Sequence, residues 1–370
     1  MKILFDDEIF FRQRYGGVSK IFSLLLQNLS NDKDFDILFK NFYSENEYLI
    51  GLNLNGVEPV LKNKNFPLKG KIIRAIGAYY GHAFVNKILK QQKADIFHPT
   101  FYSNYFFKSL SNKTKLVITI HDLIHEKFSS NQHYRNLAKI KMQNIKQADA
   151  IVTVSENTKK DLLEIYPFTN PNKIYVNYLA EDISGITAKP IKNLPEKYIL
   201  FTGERRGYKN FNVLVKAFAI VAKKHADLFL FCTGSLPFTA DEIKMFKNLN
   251  IENKVIQQSL SIGELKYAYN SAKVFIFPSK YEGFGIPVLE AFACKVALII
   301  SNCGSLPEIA GDACLKFNAD DELELSHQII NVLEDKNLSN SLIEKGTERL
   351  KLFSWQKHIQ QTKNLYLSLV

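Results

Sequence analysis

The stretch Pro278-Ser279-Lys280-Tyr281-Glu282-Gly283-Phe284-Gly285-Ile286-Pro287-Val288-Leu289-Glu290 follows the apolar run Val274–Phe277. An apolar run that short, bounded by turn residues, predicts a strand buried on both faces of a parallel sheet. The glycines then let backbone amides approach a ligand closely, and the segment Ile286–Ala293 reads as a helix whose N-terminal dipole favours anions. One carboxylate (Glu282) stands in the loop and a second (Glu290) stands eight residues on, more than a helical turn further. Two carboxylates so placed can accept hydrogen bonds from the vicinal hydroxyls of a sugar and of a ribose.

Outward from this stretch the same alternation repeats. Tyr198–Thr202, Leu228–Thr233 and Val296–Ser301 read as strands, and Asn210–Lys224 as an amphipathic helix. Thr239-Ala240-Asp241-Glu242 starts another helix, and Ser261-Ile262-Gly263-Glu264 has the spacing of a capping box for a helix running to Ala272. The first half opens with a strand at Lys2–Asp6, then Tyr15-Gly16-Gly17, then Val18, Ile21, Phe22, Leu25 and Leu29 at helical spacing. Further strands are expected at Asp36–Phe39, Ile96–His98, Leu116–Ile120, Ala150–Val154 and Lys173–Tyr178, with Ser155 as the N-cap of a helix. Pro190 to Pro195 reads as a linker. The expected fold is therefore α/β: two doubly wound Rossmann-like domains, 1–188 and 189–370, facing a central cleft, with the last helix free to pack back on the first domain.

Composition sets bounds. The chain has 370 residues, 48 Lys and Arg against 37 Asp and Glu, and a net charge of +11. That excess favours anionic partners. Leu61 to Ala94 holds no acid, and Lys62, Lys64, Lys69, Lys71, Arg74, Lys87, Lys90 and Lys93 alternate there with apolar and aromatic residues. This segment suits an anionic membrane surface, and equally a helix laying its apolar face on the core. No compact nucleic-acid recognition motif accompanies the charge, so nucleic acid is not an expected partner. No apolar run reaches the ~18 residues of a membrane span, and the N-terminus lacks a signal-peptide core. The four cysteines show no zinc spacing and read as reduced thiols of a cytoplasmic protein.

Glu282 to Glu290 resembles the E-x7-E signature of the retaining GT-B glycosyltransferases of family 4, which include bacterial mannosyltransferases of surface polysaccharides. The resemblance runs along nearly the whole chain. Tyr15 to Lys20 is similar to the family's glycine loop, Ile120-His121-Asp122-Leu123 to its histidine segment, and Gly203 to Asn210 to its phosphate clamp. Ser301 to Glu308 and Gly311-Asp312-Ala313 match what usually follows the signature. The resemblance implies that Lys209 and Arg205, or Arg206 in its place, neutralise the leaving diphosphate. It implies that Glu290 binds ribose, and that Glu282 with the amides of Gly283, Phe284 and Gly285 holds the donor sugar. Gly16 and Gly17 would approach the donor phosphate. His121 stands at a strand's carboxyl end, where a histidine is either a satisfied core residue or a ligand contact; the resemblance implies a hydrogen bond to the donor sugar. Asp122 would orient the loop, and His98 either faces the acceptor or sits in the core.

The implied reaction is transfer from a nucleoside-diphosphate sugar to a glycan or lipid-linked glycan, by front-face attack with retention. No D-x-D element stands where a metal-bridged diphosphate needs one, so no metal cofactor is expected. The wording Gly207-Tyr208-Lys209-Asn210 and the overall pattern resemble GDP-mannose users, so GDP-mannose is the first donor to test. The expected place is the cytoplasm, with peripheral attachment at the inner face of the cytoplasmic membrane as an option. Alternatives are another GT-B enzyme, such as a nucleotide-sugar epimerase or a phosphorylase, a basic nucleic-acid-binding protein, and a non-catalytic scaffold. Lys295-Val296-Ala297-Leu298 departs from the family's Gly-Thr-Pro-Val-like turn, and Val176 to Ala180 lacks a glycine often found there.

Overall fold

The short strands all pair in parallel, most of them joined to the next by a helix that returns the chain to the same edge. A computed structural model of the protein describes residues 1–14, 16–49, 52, 69–128, 132–234 and 236–370, without the side chains of 69–74. Contacts divide it into two units. The first comprises Met1–Val154, Lys159–Asn177 and Gln356–Val370; the second comprises Ser155–Thr158 and Tyr178–Trp355.

In the first unit the strands are β1 (Lys2–Leu4), β2 (Asp36–Leu38), β3 (Ile96–Phe97), β4 (Lys115–Ile120), β5 (Ala150–Thr153) and β6 (Ile174–Val176). They form a parallel sheet in the order β2-β1-β3-β4-β5-β6. The second unit holds β7 (Tyr198–Thr202), β8 (Phe229–Thr233), β9 (Val255–Gln257), β10 (Val274–Phe277), β11 (Leu298–Ser301) and β12 (Leu315–Phe317). Their order is β12-β11-β10-β7-β8-β9, again parallel. Each unit is thus a Rossmann-like α/β layer, and the second has the order of a dinucleotide-binding sheet. Its order reverses between β7 and β10, which places the ligand crevice beyond the carboxyl ends of those two strands.

The second unit's core is the inner face of this sheet against the helix Phe211–Lys224. Phe201, Phe211, Leu214, Phe218, Leu230 and Ile276 are all at most 1% exposed. Both expected capping boxes form: Thr239 with Glu242, and Ser261 with Glu264. Ser155 Oγ accepts the Thr158 amide at 3.0 Å, as an N-cap does.

The unit boundary lies at Asn177, ahead of the 188/189 division drawn from the prolines. Asn177 Nδ2 donates to His358 O (3.0 Å) and Thr362 Oγ1 (2.9 Å) of the helix Trp355–Leu369, which keeps it in the first unit. Tyr178 instead meets Phe353, a residue of the second, edge-on with ring centres 5.6 Å apart. The turn at Lys295 has φ 54°, the left-handed region that glycine enters most easily.

The basic segment is partly described. Leu61–Leu68 lies outside the described residues, as does Tyr15 of the glycine loop. Lys69–Lys90 is one helix. Gly77, Gly81, Val85 and Leu89 recur every fourth residue on its buried face, while Ile76 (42% exposed), Tyr79 (70%) and Tyr80 (51%) face outward. Gly81 is required by close approach, because a Cβ there would stand 2.5 Å from Asp7 Oδ1. No helix among the described residues is long and apolar enough to cross a membrane.

Candidate active site

In the second unit, β7 ends at Thr202 and the chain turns at Gly203 (φ +115°). A Cβ on the neighbouring Gly234 (φ +82°) would sit 2.9 Å from the Gly203 amide nitrogen, so two loop ends meet here with no room for a side chain. A turn of 3-10 helix, Gly207–Lys209, then leads into the helix Phe211–Lys224. Asn210 takes φ 57° between them and donates from Nδ2 to Pro278 O (3.1 Å) and Ala319 O (2.6 Å). The Lys280 amide donates to Tyr208 O at 2.7 Å. The loop after β7 is therefore stitched to the loop after β10, across the point where the strand order reverses.

Over that point Lys209 Nζ donates to Glu282 Oε1 at 2.7 Å, with both side chains largely buried. Beyond Glu282, Ser305 Oγ lies 3.0 Å from Glu282 O and 2.9 Å from Phe284 O. Gly283 O accepts from the hydroxyls of Ser155 (2.7 Å) and Thr158 (3.0 Å). Gly285, at φ +97°, starts the helix Ile286–Ala293. The amides of Gly283, Phe284 and Gly285 donate to no protein acceptor among the described residues. Buried amides are almost always paired, so amides left open at a helix start suit an anionic or hydroxyl-rich ligand.

Glu290 points back toward β7. Tyr269, fully buried, donates from its hydroxyl to Glu290 Oε2 at 3.0 Å and stands 3.3 Å from Thr202 Oγ1. Burial, and then the Glu290 charge, push the Tyr269 phenol well above its ordinary pKa, so it stays a donor. The sequence offered no sign of Tyr269, since a tyrosine in an amphipathic helix reads as core.

Arg205 is 7% exposed and mostly committed within the fold. Nε donates to Glu242 Oε1 (2.7 Å), and Nη2 to Leu236 O (2.8 Å), Pro237 O (3.1 Å) and Glu242 Oε2 (3.3 Å). Its guanidinium also lies 4.7 Å from the centre of the Phe238 ring. Burial would raise the Glu242 pKa, but hydrogen bonds from Arg205 and Thr239 outweigh it and hold it low. Nη1 is buried with no hydrogen-bond partner. Arg206 is exposed.

In the first unit, His121 and Asp122 follow β4. The His121 amide donates to Tyr102 Oη at 3.2 Å, and the Ile124 amide to Asp122 Oδ1 at 3.1 Å, so Asp122 does orient its own loop. Burial is the main cause that lowers the His121 pKa to about 4; the charges of His358 and Lys141 add to it, and Asp122 opposes. The imidazole is neutral at physiological pH. It lines a cavity of about 170 Å³ together with Gln13, Tyr102, Thr119, His125 and Asn144. Gln13 accepts the Ser19 amide at 3.2 Å, and a Cβ on Gly16 would meet Gln13 Oε1 at 2.5 Å. Gly16 thus yields its space to a side chain that sequence reading did not single out; Gly17 is the first residue of the helix Gly17–Ser30.

His98 belongs to the core. It is 1% exposed, with Nδ1 2.5 Å from Tyr366 Oη and Nε2 2.9 Å from Thr119 Oγ1. Burial drives its pKa down to about 3. The four cysteines are free, and Cys303 is the least buried.

Residues 45–183 match the family model described as Glycosyltransferase Family 4, and residues 183–349 match Glycosyl transferases group 1. The chain is a family 4-type glycosyltransferase of the GT-B fold. The glycosyltransferase is 26% identical to O-antigen chain mannosyltransferase B of Escherichia coli over 294 residues, 75% of each chain. It is 25% identical over 354 residues to the N-acetylgalactosamine-N,N'-diacetylbacillosaminyl-diphospho-undecaprenol 4-alpha-N-acetylgalactosaminyltransferase of Campylobacter jejuni, covering 91% of this chain and 92% of that one. Among solved structures, Anabaena Alr3699/HepE in complex with UDP and glucose superposes over 100% of both chains with a TM-score of 0.73 and 17% identity, a likeness of fold.

Proposed function

We propose that this glycosyltransferase moves a hexose from a nucleoside-diphosphate donor to a glycan or lipid-linked glycan of surface polysaccharide synthesis, with retention and without a metal ion. The observation that carries the reading is the Lys209–Glu282 pair over the β7/β10 reversal, flanked by open amides at Gly283–Gly285 and by Glu290. A diphosphate arriving there gains Lys209 as its cation, and the displaced Glu282 is left to accept from sugar hydroxyls. Arg205 Nη1 supplies a spare buried donor for the same phosphates. Glu290, aimed by Tyr269, takes the ribose hydroxyls. The family resemblance assigns His121, neutral, to a hydrogen bond with the transferred sugar, and the amides of Gly16 and Gly17 to the donor phosphate.

In the reaction an acceptor hydroxyl oxygen attacks the anomeric carbon on the face from which the diphosphate leaves. The carbon–oxygen bond to the β-phosphate breaks, and the acceptor's proton passes to a leaving phosphate oxygen. Lys209 stabilises the charge developing on that phosphate, a contribution that grows as water is excluded. No protein carboxylate is used as a nucleophile, and no cation beyond the side chains is needed to balance the diphosphate.

GDP-mannose is the first donor to test, supported by the mannosyltransferase relatives. A lipid-linked acceptor is supported by the diphospho-undecaprenol in the name of the Campylobacter relative. Docking on an anionic membrane face is supported by exposed Tyr79 and Tyr80 beside Lys87, Lys90 and Lys93.

The test is a thermal-shift panel of GDP, UDP, ADP and CMP, with and without EDTA. At ~100 times the dissociation constant the right nucleotide adds about 2.7 kcal/mol of stability. A shift with one nucleoside diphosphate that survives EDTA supports the reading. A shift abolished by EDTA overturns metal independence, and conversion of a nucleotide sugar without any acceptor would make the enzyme an epimerase.

A further inference from the structure

Lys141, in the helix Gln132–Gln147, is 0% exposed. Lysine is almost never fully buried unless paired. Its Nζ lies 2.9 Å from Glu126 Oε2, whose side chain is 4% exposed, and Tyr166 Oη donates to the other oxygen of Glu126 at 3.0 Å. A dry ion pair is poor value as a stabiliser, because desolvation offsets the attraction and an apolar pair of equal volume serves as well or better. An apolar pair could not, however, grip a backbone carbonyl. Lys141 Nζ does so: it donates to Asp122 O at 2.9 Å.

Asp122 is the residue after His121. The peptide on the other side of His121 is held too, through its amide on Tyr102 Oη, and Lys141 Nζ sits 4.9 Å from the centre of that same Tyr102 ring. Three residues along the Lys141 helix, Asn144 Nδ2 donates to Ser103 O at 2.9 Å and fixes the loop that carries Tyr102. The peptide before His121 and the peptide after Asp122 are therefore tied to one buried ammonium, through a phenol and directly.

We propose that the buried Lys141–Glu126 pair is a positioning device for His121, which holds the loop after β4 so that the imidazole is presented to the transferred sugar in one place. The proposal rests on the reading of His121 as a sugar contact. Lys141 is a positioning residue, since nothing in its surroundings lets it touch substrate. Its charge also faces the imidazole, among the neighbouring Asp122, His358 and His98.

The experiment compares His121→Ala, Lys141→Met, their double variant, and Lys141→Arg, in the full chain. Turnover and donor KM are measured with GDP-mannose, and the imidazole titration is followed by NMR. Lys141→Met is expected to lower kcat by about 10- to 100-fold, the scale of a misplaced contact, with donor KM nearly unchanged. The double variant is expected to be no slower than His121→Ala alone, because a residue acting through another adds nothing once that other is gone. The His121 signal is expected to titrate at higher pH in Lys141→Met than in wild type, and lower again in Lys141→Arg. Losses that multiply in the double variant, or an unmoved imidazole titration, overturn the proposal. If His121→Ala turns over like wild type, the sugar-contact reading fails; a moved imidazole titration in Lys141→Met then still shows Lys141 acting on His121, whereas an unmoved one overturns the positioning itself. Should Lys141→Met not fold, Tyr102→Phe, which removes the hydrogen bond to the His121 amide, carries the same comparison.

Discussion

Lys209 Nζ stands 2.7 Å from Glu282 Oε1, joining the loop after β7 to the loop after β10 where the strand order of the second sheet reverses. Without ligand the two charges neutralise each other. On the proposed reading a diphosphate takes the lysine from Glu282. Lys209→Met is expected to lower kcat by about 10²- to 10³-fold, the cost of losing one donor to developing charge. Glu282→Gln is expected to weaken donor binding more than turnover. Steady-state kinetics checks both, and mass spectrometry of a quenched reaction is expected to find no sugar on any carboxylate; a trapped glycosyl-enzyme would sink the front-face route.

Tyr269→Phe removes the hydroxyl that aims Glu290 and leaves the ring in its buried place. A typical net hydrogen bond is worth about 0.5–1.5 kcal/mol, rather more with a charged acceptor. Nucleotide affinity is expected to fall by about tenfold, measured by isothermal titration, while the free sugar's contacts are unaffected.

Arg205→Ala leaves Glu242 and two carbonyls without their donor in a buried place. Breaking a buried pair costs about 3–5 kcal/mol. Urea unfolding is expected to show a loss of that order, whereas Arg206→Ala, at an exposed position, is expected to stay within about 0.5 kcal/mol of wild type.

Asp7, buried, stands just before the short helix Glu8–Arg12, and burial with the neighbouring Asp6 charge raises its pKa to about 7 against the Phe42 amide, which lowers it. A carboxyl raised in the folded state gives stability that is complete below pH about 4 and is lost as pH rises to about 7. Asp7→Asn does not titrate. The variant is expected to gain on wild type across that window and to keep a constant margin above it, as read from melting temperatures at a series of pH values.

Lys295 holds φ 54° at the end of the helix Ile286–Ala293. An L-residue in that region costs about 1–2 kcal/mol, more than glycine's extra unfolded entropy of about 0.5–1 kcal/mol. Lys295→Gly is expected to raise the urea midpoint slightly and leave turnover unchanged.

Much of the fold was legible along the chain. The strands at Tyr198–Thr202 and Val274–Phe277, and the helix Ile286–Ala293, form where the runs of apolar residues place them. The capping boxes form too, because each is a pattern of neighbours four residues apart at most. Strands β9 and β12, three residues each, carried no separate signal: they gain their partners from the sheet rather than from their own sequence. The motif Glu282 to Glu290 showed that two carboxylates flank a glycine loop, since spacing along a loop and a helix is local.

What holds those carboxylates was decided by tertiary structure alone. Lys209 is 73 residues from Glu282, and Tyr269 is 21 from Glu290. Neither pairing follows from periodicity. The same holds for the histidines. His98 and His121 both follow a short apolar strand, and by that pattern alone they are indistinguishable. Tyr366, from the far end of the chain, covers His98, while His121 is left lining a cavity. Local rules govern what nearest neighbours can do; which distant side chain arrives to satisfy or spare a polar group depends on how the layers pack.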